Sequence, residues 1–570
     1  MKNFRLILIF LSFFLALIFL YAVFLFLSIA KPKYYIKPYT LKKETAVRGN
    51  IYTKNYTLAK SEKNYGIYVY PDFLDKDKID LFYNLFSIYT NIPAEKLKKR
   101  VNFYYSKGIK RILLAKVDLK TKQNLLYLRK VLDKNRVFKS NDAGIRRGFE
   151  ILSLDFKRVY PYKDILEPVL GRYRKDKKKG ENGLEEYYNY YLKAKKDGIK
   201  KGYRDVLGNI VYDGEAVIKQ PINGNDLPLN INLALQRKIE LLLSSQKEKF
   251  NAKEVVAAVM DTRTGKIIAI ASSNRYNPSF ITKEDIPNMK ISVIREVFEP
   301  GSVMKAITFA ILLEHNKVNP YEFIKGYNGK WKPKWRKKEA IKDDKAFDWI
   351  SAENVIVYSS NIGISQLVLR LSANEFLEGL KKFELDKKSG IDLPYEINGK
   401  IRSLKLLYYP VYKTTTAYGY GIKVNFMELL KAYNVFNNNG IMVVPKIADV
   451  KTEQKRVISA KNANIMLNIL RKVVLKGTAR KANIKGLFIA GKTGTAHVSK
   501  GALGYKEDTY NVSFFGFAND EKNRYTIGVT FFDIKAKWPD YFASNSAVPT
   551  FRQIVDIMIK ENLLKAVDAK

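Results

Sequence analysis

The chain has 570 residues, of which 46% are hydrophobic, so it is long enough for two or three domains with large cores. Lysine and arginine outnumber aspartate and glutamate by 45, which indicates an anionic environment such as nucleic acid, lipid headgroups or acidic glycan; a lysine-rich coding bias with a solvated surface is the alternative. There is no cysteine and there are only two histidines, His315 and His497, which excludes disulfides, cysteine nucleophiles and thiolate metal sites.

The N-terminus contains an uninterrupted apolar stretch. Residues 6–30 carry no charge, and as a helix they would reach about 37 Å, enough to cross a bilayer with some tilt. Ser28-Ile29-Ala30 resembles the cleavage site of a signal peptide, but the apolar core of such a peptide normally has only about 7–15 residues. We therefore expect an uncleaved transmembrane anchor at residues 6–30, after a short tail at residues 1–5. Basic residues flank the stretch on both sides, so their count does not set its orientation.

Composition divides the rest of the chain into two parts. Residues 31–225 are polar, rich in lysine and tyrosine, and broken by short apolar pieces. From residue 226 onward the pattern changes to a short strand that feeds an amphipathic helix, within residues 224–243. Two apolar runs then flank residues 261–265 and predict a strand–turn–strand hairpin. These changes place a domain boundary near residue 225.

The second part predicts a sheet with helices. Residues 303–313 are apolar on nearly all sides, as in a helix buried in a large core. Three strand-like runs follow at residues 487–495, 512–518 and 525–533, and a closing helix follows at about 548–564. The two hairpin strands, joined in space to the three C-terminal strands with helices between them, predict an α+β fold in which helices cover the faces of a sheet.

Three short motifs suggest chemistry. S-x-x-K and S-x-N each occur three times in the chain and are weak signals alone, whereas K-T-G occurs once, at Lys492-Thr493-Gly494. The Ser302/Lys305 copy of the first motif is distinguished because it opens the buried helix. Ser359-x-Asn361 follows in a helix-rich region, and the K-T-G motif ends a predicted strand. The three motifs in this order predict one site.

The spacing of Ser302 and Lys305 suits a nucleophile and its base. Positions i and i+3 of a helix share a face, so the amine can lie beside the hydroxyl. A lysine with an ordinary pKa is charged at neutral pH, but burial and a second cation at Lys492 would lower that pKa; a drop of ~3 units corresponds to about 4 kcal/mol. Neutral Lys305 could then accept the Ser302 proton, and the N–H groups at the helix start suit a developing oxyanion.

The K-T-G strand would hold the substrate. Its edge offers backbone N–H groups, and Gly494 would leave room for a substrate backbone to approach. Lys492 and the hydroxyls of Thr493 and Thr495 could hold a carboxylate. This chemistry needs no metal or cofactor. The structural alternative makes Ser302 an N-cap, the second motif a turn and K-T-G a plain strand end, but the conjunction of all three argues against it.

With these motifs the sequence resembles the class B penicillin-binding proteins, which are membrane-anchored peptidoglycan D,D-transpeptidases. Arg48-Gly49-Asn50-Ile51, Arg158-x-Tyr160-Pro161 and Gly183-Leu184-Glu185 resemble segments of the non-catalytic domain of that family, and Gly419-Tyr420-Gly421 resembles the region before its last motif. The resemblance implies an elongated, dimerisation-like pedestal domain at residues 31–225. It implies a serine transpeptidase (penicillin-binding/β-lactamase-like) domain at residues 226–570, with a five-stranded antiparallel sheet flanked by helices.

The resemblance also assigns roles to the motif residues. It implies that the catalytic residues are Ser302, Lys305, Ser359, Asn361 and Lys492. It implies that Thr493, Gly494 and Thr495 bind substrate and that the N–H groups of Ser302 and Thr495 form the oxyanion hole. The implied location is the bacterial inner (cell) membrane, with the N-terminus in the cytoplasm and the catalytic domain outside it. The implied partners are stem peptides ending in D-Ala-D-Ala, β-lactams as covalent inhibitors, a membrane glycan polymerase and other wall-synthesis or division proteins, but not nucleic acid.

The sequence departs from the pattern of the family outside these motifs. Thr53 and Lys54 stand where Asp-Arg is usual, Tyr56 replaces a glycine, and Asn232 and Asn425 replace threonines. Residues 513–533 and 546–554 are more similar to the division (septal) type than to the elongation type, which stays as the alternative. A class A β-lactamase would need a Glu-x-x-x-Asn element between the second and third motifs, and none of the six glutamates there has it. A non-catalytic β-lactam sensor or scaffold is a third, less favoured, reading.

Overall fold

The structure is a computed structural model that describes residues 2–29, 39–139, 148–203, 216–337, 339–499 and 504–567. Several boundaries of the expected segments lie outside the described residues. They are residue 1 at the start of the tail, Ala30 at the end of the anchor, residue 31 at the start of the pedestal, and residues 568–570 at the end of the transpeptidase domain.

Helices make up much of the described chain. In chain order they are α1 (Lys2–Ile29), α2 (Ile79–Thr90), α3 (Ala94–Tyr105), α4 (Leu119–Lys134), α5 (Gly183–Tyr187), α6 (Asn189–Leu192), α7 (Leu233–Lys249), α8 (Ser292–Arg295), α9 (Met304–Glu314), α10 (Ala352–Val357), α11 (Asn361–Val368), α12 (Ala373–Lys382), α13 (Leu404–Leu407), α14 (Pro410–Ala417), α15 (Phe426–Asn437), α16 (Ala460–Leu475) and α17 (Ala547–Lys560).

The strands form one large sheet in the C-terminal part and smaller sheets elsewhere. They are β1 (Tyr39–Glu44), β2 (Ile51–Tyr52), β3 (Thr57–Val69), β4 (Ile112–Val117), β5 (Phe149–Val159), β6 (Arg172–Arg174), β7 (Lys179–Glu181), β8 (Gly198–Tyr203), β9 (Val217–Lys219), β10 (Leu227–Pro228), β11 (Glu254–Asp261), β12 (Ile267–Ser272), β13 (Val297–Phe298), β14 (Phe323–Lys325), β15 (Lys330–Trp331), β16 (Ile341–Lys342), β17 (Trp349–Ser351), β18 (Val424–Asn425), β19 (Ile441–Val443), β20 (Gln454–Arg456), β21 (Phe488–Ser499), β22 (Tyr505–Asn519) and β23 (Arg524–Ile534).

The large sheet has the strand order β12-β11-β23-β22-β21, and every neighbouring pair is antiparallel. The two hairpin strands therefore join the three C-terminal strands, and the predicted five-stranded antiparallel sheet is confirmed. The turn of the hairpin uses Gly265 at φ +73°, a left-handed conformation that glycine adopts without strain. Strand β21, which carries the K-T-G motif, is the last strand of this order and so lies at an edge of the sheet.

The chain divides into two compact units. One comprises Met1–Ala46 and Ala194–Asn223, and the other comprises Val47–Lys193 and Gly224–Lys570. The first unit contains α1 and the three-stranded sheet β1-β8-β9. Within α1, Leu6–Ile29 spans 24 residues and is, among the described residues, the one segment long and apolar enough to cross a membrane.

The larger unit has two hydrophobic cores. The smaller core joins β3, β4 and β5 to α2, α3 and α4, around aromatic side chains such as Phe82, Phe86 and Phe149. The larger core fills the space around the five-stranded sheet and includes α9, whose residues from Met304 to Leu313 are all buried. Packing on all sides explains why the sequence of α9 is apolar around its whole circumference.

The three pedestal motifs quoted from the sequence meet at one buried carboxylate. Glu185 accepts hydrogen bonds from Arg48 Nε (2.8 Å), from Arg158 Nε (2.7 Å) and from the hydroxyl of Tyr160 (3.2 Å). Burial alone would raise the pKa of Glu185, but the two guanidinium groups outweigh it and lower the pKa. This ion cluster joins segments that are up to 137 residues apart in the chain.

Two of the departures from the family pattern are conservative in the structure. Asn232 is the N-cap of α7 and accepts a hydrogen bond from the N–H of Leu235 at 3.1 Å. Asn425 is the N-cap of α15 and forms a capping box with Glu428. Asparagine and threonine both cap helix N-termini through a side-chain oxygen, so the asparagines preserve these helix starts.

Candidate active site

Ser302 lies in a short 3₁₀ turn, Gly301–Val303, and α9 begins only at Met304. The helix predicted to open at Ser302 therefore starts with a tighter turn than expected. Lys305 is the second residue of α9, and positions i and i+3 share a face of a helix, so Ser302 and Lys305 still share a face. Gly301 has φ +60°, and a Cβ there would lie 3.0 Å from the carbonyl oxygen of Thr495. Glycine thus lets the turn pack closely against β21.

Lys305 is fully buried, and its amine contacts the second motif. The amine donates to the backbone carbonyl oxygen of Ser359 and to the Ser359 hydroxyl, the latter at 3.2 Å. Within the described residues, no hydrogen bond joins the amine to the Ser302 hydroxyl. The direct Ser302–Lys305 contact expected from the sequence is thus replaced by a Lys305–Ser359 contact, with Ser302 on the adjoining turn.

Ser359 is the centre of the polar contacts at the site. Its hydroxyl accepts a second hydrogen bond from the amine of Lys492, at 2.9 Å. Ser359 lies between α10 and α11 with φ +62°, a left-handed conformation that costs a non-glycine residue about 1–3 kcal/mol. The fold therefore holds this residue under strain at a position where two lysines reach the same hydroxyl.

Burial lowers the pKa of both amines. Desolvation lowers the pKa of Lys305 to about 8, although the carboxylates of Asp343 and Asp344 oppose the shift. Desolvation and the charge of Lys305 lower the pKa of Lys492 well below its ordinary value. Burial therefore lowers the pKa of Lys305 as expected. The repulsion between the two cations lowers the pKa of Lys492 and not that of Lys305. The result is a pair of amines that can exist in the neutral form near neutral pH.

Asp343 holds the second motif and was not found by sequence reasoning. Its carboxylate accepts hydrogen bonds from the hydroxyl of Ser360, from the N–H of Asn361 (2.6 Å) and from the N–H of Ile362 (3.0 Å). A carboxylate on the first N–H groups of α11 is favoured by those unpaired donors and by the helix dipole. The side chain of Asn361 donates to the carbonyl oxygen of Lys342 at 2.9 Å. The acidic pair Asp343-Asp344, which begins 16 residues before Ser359, gave no spacing signal.

The K-T-G residues lie on β21 as predicted, and Gly494 also has a packing role that the sequence did not indicate. A Cβ at Gly494 would lie 2.8 Å from the carbonyl oxygen of Pro300 and 2.9 Å from Val303 Cγ1. Glycine is therefore needed for the strand to pack against the turn that carries Ser302, and the expected opening for a substrate backbone at this position stays a prediction. Thr493 is buried, and its hydroxyl shares a 2.8 Å hydrogen bond with that of Thr478.

Most of the predicted residues line one cleft of about 700 Å³. Ser302, Ser359, Asn361, Thr493 and Thr495 are in its wall, whereas Lys305, Lys492 and Gly494 lie behind that wall. The cleft is also lined by Tyr420, from the quoted Gly419-Tyr420-Gly421 segment, and by groups that the sequence did not single out, including Asp344, Thr478, Arg480, Lys481, Tyr510, Tyr541 and Phe542. Thus the cleft combines a serine, aromatic faces and two further cations beside an edge strand.

A helix-flanked antiparallel sheet with a serine and two buried lysines around one cleft defines the class of penicillin-binding, acyl-transferring serine proteins. Residues 255–556 match the penicillin-binding protein transpeptidase domain, and residues 43–229 match the penicillin-binding protein dimerisation domain. The chain therefore belongs to the penicillin-binding protein family and carries both domains of its class B members. The family and fold expected from the sequence are confirmed, and the N-terminal apolar helix makes it a membrane-anchored member.

Curated relatives and solved structures agree with this assignment. The chain is 28% identical, over 73% of its length and 72% of the relative, to the peptidoglycan D,D-transpeptidase FtsI of Buchnera aphidicola subsp. Baizongia pistaciae. It is 25% identical, over 78% of its length and 75% of the relative, to a probable peptidoglycan D,D-transpeptidase, PenA, of Neisseria meningitidis. The structure of penicillin-binding protein 2X from Streptococcus thermophilus has the same fold, with a TM-score of 0.72, 21% identity, and coverage of 93% of this chain and 83% of that one.

Proposed function

We propose that the protein is a peptidoglycan D,D-transpeptidase that cross-links stem peptides during septal wall synthesis. The names of the FtsI and PenA relatives support the substrate and the reaction. The observation that carries the mechanism is the convergence of Lys305 and Lys492 on the Ser359 hydroxyl, at 3.2 and 2.9 Å, in a cleft that also presents Ser302.

Ser302 is the nucleophile in this proposal. Its hydroxyl oxygen attacks the carbonyl carbon between the two terminal D-alanines while its proton passes to the neutral amine of Lys305. Ser302 and Lys305, at positions i and i+3, lie on one face, and contacts between a nucleophile and its base often tighten only when substrate binds. The N–H groups of Ser302 and Thr495 stabilise the oxyanion of the tetrahedral intermediate.

The second and third motifs complete the reaction. When the intermediate collapses, the C–N bond breaks and the departing D-alanine amine takes a proton from the Lys305–Ser359–Lys492 contacts. An amine of a neighbouring stem peptide then attacks the ester and loses a proton to the same groups, which re-forms the Ser302 hydroxyl. Asn361 and the edge of β21, at Thr493, Gly494 and Thr495, orient the stem peptide. β-Lactams acylate the same serine.

The remaining parts of the proposal concern location and partners. The tail at residues 1–5 is cytoplasmic, the anchor at 6–30 spans the inner (cell) membrane, and the pedestal at 31–225 and the transpeptidase domain at 226–570 lie outside the cytoplasm. The pedestal serves as the contact surface for a membrane glycan polymerase and other division proteins. The proposed chemistry requires that the catalytic domain be exported from the cytoplasm. This requirement and the excess of positive charge both support a surrounding of membrane surface or glycan for that domain.

The test is covalent labelling by a β-lactam. Mass spectrometry of the intact protein after exposure to penicillin should show one added acyl group, located in the peptide that contains Ser302. The Ser302→Ala variant should show none, whereas a Ser244→Ala control, in another S-x-x-K sequence, should label normally. Label retained in Ser302→Ala would refute the assignment, and rapid loss of the label with hydrolysed penicillin in solution would identify a β-lactamase instead.

A further inference from the structure

One carboxylate in the active-site cleft has no part in the reaction described above. Asp344 lines the cleft together with Ser302, and among the described lining residues it is the sole acid, beside the cations Arg480 and Lys481. Asp344 is exposed, and within the part of the chain that the structure describes its side chain has no hydrogen bond and no ion pair. The cleft therefore offers an unpaired negative charge to a molecule that enters it.

The segment around Asp344 is held in place by contacts that leave its carboxylate free. Asp344 comes after strand β16 and Asp343, whose N–H donates to the carbonyl oxygen of Gly329 at 3.1 Å and whose carboxylate is bound to the start of α11. On the other side, the amine of Lys345 lies 4.6 Å from the centre of the Tyr358 ring. The neighbouring acid and the neighbouring cation are thus engaged elsewhere, so neither of them occupies Asp344.

The charge of Asp344 acts on the catalytic lysines. It raises the pKa of Lys305 and that of Lys492, against the desolvation that lowers both. In the described structure, however, neither amine forms an ion pair with Asp344, because both donate to the Ser359 hydroxyl instead. Asp344 therefore lies near the reacting groups and is still available to a cation from solution.

The second half of the proposed reaction brings a cation to this cleft. The acceptor amine is mostly an ammonium at neutral pH, and the excess of 45 basic over acidic residues repels it. The ammonium loses one proton to solvent before its nitrogen attacks the acyl carbon, and the new C–N bond makes the nitrogen positive again. A second proton then passes from the nitrogen through the lysine contacts to the Ser302 oxygen, as the bond between that oxygen and the acyl carbon breaks. A nearby carboxylate favours the positive nitrogen on entry and during attack.

We propose that Asp344 binds the ammonium of the acceptor stem peptide and positions its nitrogen for attack on the Ser302 ester. The inference rests on the proposed function, which supplies the acyl-enzyme and the acceptor. Lys305, Ser359 and Lys492 transfer protons, whereas Asp344 selects an acceptor that carries a positive charge. Water gains nothing from this carboxylate, so Asp344 favours cross-linking over hydrolysis of the acyl-enzyme.

The partition of the acyl-enzyme between acceptors tests this proposal. A D-alanyl thioester donor acylates Ser302 without releasing an amine, and the acyl group is then transferred to water, to D-alaninamide or to D-lactamide, in which a hydroxyl replaces the amine. Asp344→Asn should lower transfer to D-alaninamide, relative to hydrolysis, by about three- to tenfold, and should keep transfer to D-lactamide within about twofold. Asp344→Glu, which keeps the charge, should retain part of the preference for the amine.

Two further measurements separate charge recognition from damage to the fold. Asp348→Asn is the matched control, since Asp348 is exposed and is not among the lining residues of the cleft; its partition should stay within about twofold of the wild type. Because Asp344 raises the pKa of Lys305, Asp344→Asn should speed acylation by penicillin at pH 7, whereas a damaged fold would slow both steps. In the wild type, added salt should weaken the preference for D-alaninamide over D-lactamide.

Several results would overturn the proposal. Transfer to D-alaninamide could be unchanged in Asp344→Asn, or transfer to both acceptors could fall equally, which would exclude recognition of charge. A preference for the amine that does not depend on salt in the wild type would also contradict it, and this measurement needs no variant. If Ser302 is not acylated at all, the proposed function fails and this inference fails with it, whereas normal acylation with an unchanged partition refutes this inference alone.

Discussion

Two substitutions of Ser359 separate the role of its hydroxyl from the role of its backbone. Ser359→Ala and Ser359→Gly both remove the oxygen that accepts from Lys305 and Lys492. Only glycine also relieves the left-handed conformation at φ +62°. We expect both variants to lose acylation by penicillin to the same extent, about 10²–10⁴-fold, because proton transfer between Ser302 and the two amines is interrupted.

The stability of the two variants should differ in a predictable direction. Hydrogen bonds to charged groups contribute about 1.5–3 kcal/mol each. In Ser359→Ala, however, Lys305 keeps the backbone carbonyl oxygen of residue 359, and Lys492 keeps that of Thr493 at 3.1 Å. Neither amine is left without an acceptor, so we expect the free energy of unfolding to fall by only about 1–2 kcal/mol. Ser359→Gly should be about 1 kcal/mol more stable than Ser359→Ala.

The assays are the second-order rate of acylation by a fluorescent penicillin and chemical unfolding of both variants. Acylation of Ser359→Ala within about threefold of the wild type would show that the hydroxyl takes no part in proton transfer. A tenfold or larger difference in acylation rate between the two variants would also refute the prediction. It would show that the backbone conformation at residue 359, and not the hydroxyl, determines the acylation rate.

Three further predictions concern ionisation and packing. Because the pKa of Lys305 is lowered to about 8 and the neutral amine is the base, the acylation rate should rise with pH and level off above about 8; a rate that is flat from pH 6 to 9 would contradict this. Glu185→Gln should lower the free energy of unfolding by about 3–5 kcal/mol, since it leaves Arg48 and Arg158 buried without their carboxylate. In the wild type the pKa of Glu185 is lowered, so the carboxylate makes its full contribution to the free energy of unfolding above the ordinary pKa range of glutamate. That contribution is lost as the pH falls through the lowered pKa. Acid unfolding curves that coincide for the wild type and Glu185→Gln would refute this prediction. Gly494→Ala should destabilise by about 1–3 kcal/mol and slow acylation, because its Cβ meets the turn of the nucleophile, and an unchanged melting temperature would exclude this clash.

Local patterns were sufficient for the strands of the large sheet and for two of its helices. The apolar runs on either side of residues 261–265 became β11 and β12, and the three C-terminal runs became β21, β22 and β23. The all-round apolar segment after Ser302 became the buried helix α9. The closing helix was placed within a few residues, at Ala547–Lys560. These elements follow from periodicity and turn residues, which act over a few neighbouring positions.

The contacts within the site were beyond the reach of local patterns. The sequence suggested a direct pair between Ser302 and Lys305, whereas the amine of Lys305 bonds to Ser359, 54 residues away. The sequence also gave no sign that Gly494 packs against the turn before α9. The spacing of residues in the sequence predicts neither contact, because each depends on how closely two segments that are distant in the chain approach one another.

The sequence by itself determined the strands of the large sheet and the three motifs, because hydrophobic periodicity and residue spacing are properties of short stretches, and the family followed from the resemblance that those motifs carry. Only the tertiary structure decided that Asp343 caps the second motif and that Lys492 reaches Ser359 across 133 residues. The physical reason is that hydrogen bonds and desolvation depend on distances of a few ångströms between segments, and those distances exist only once the cores have packed.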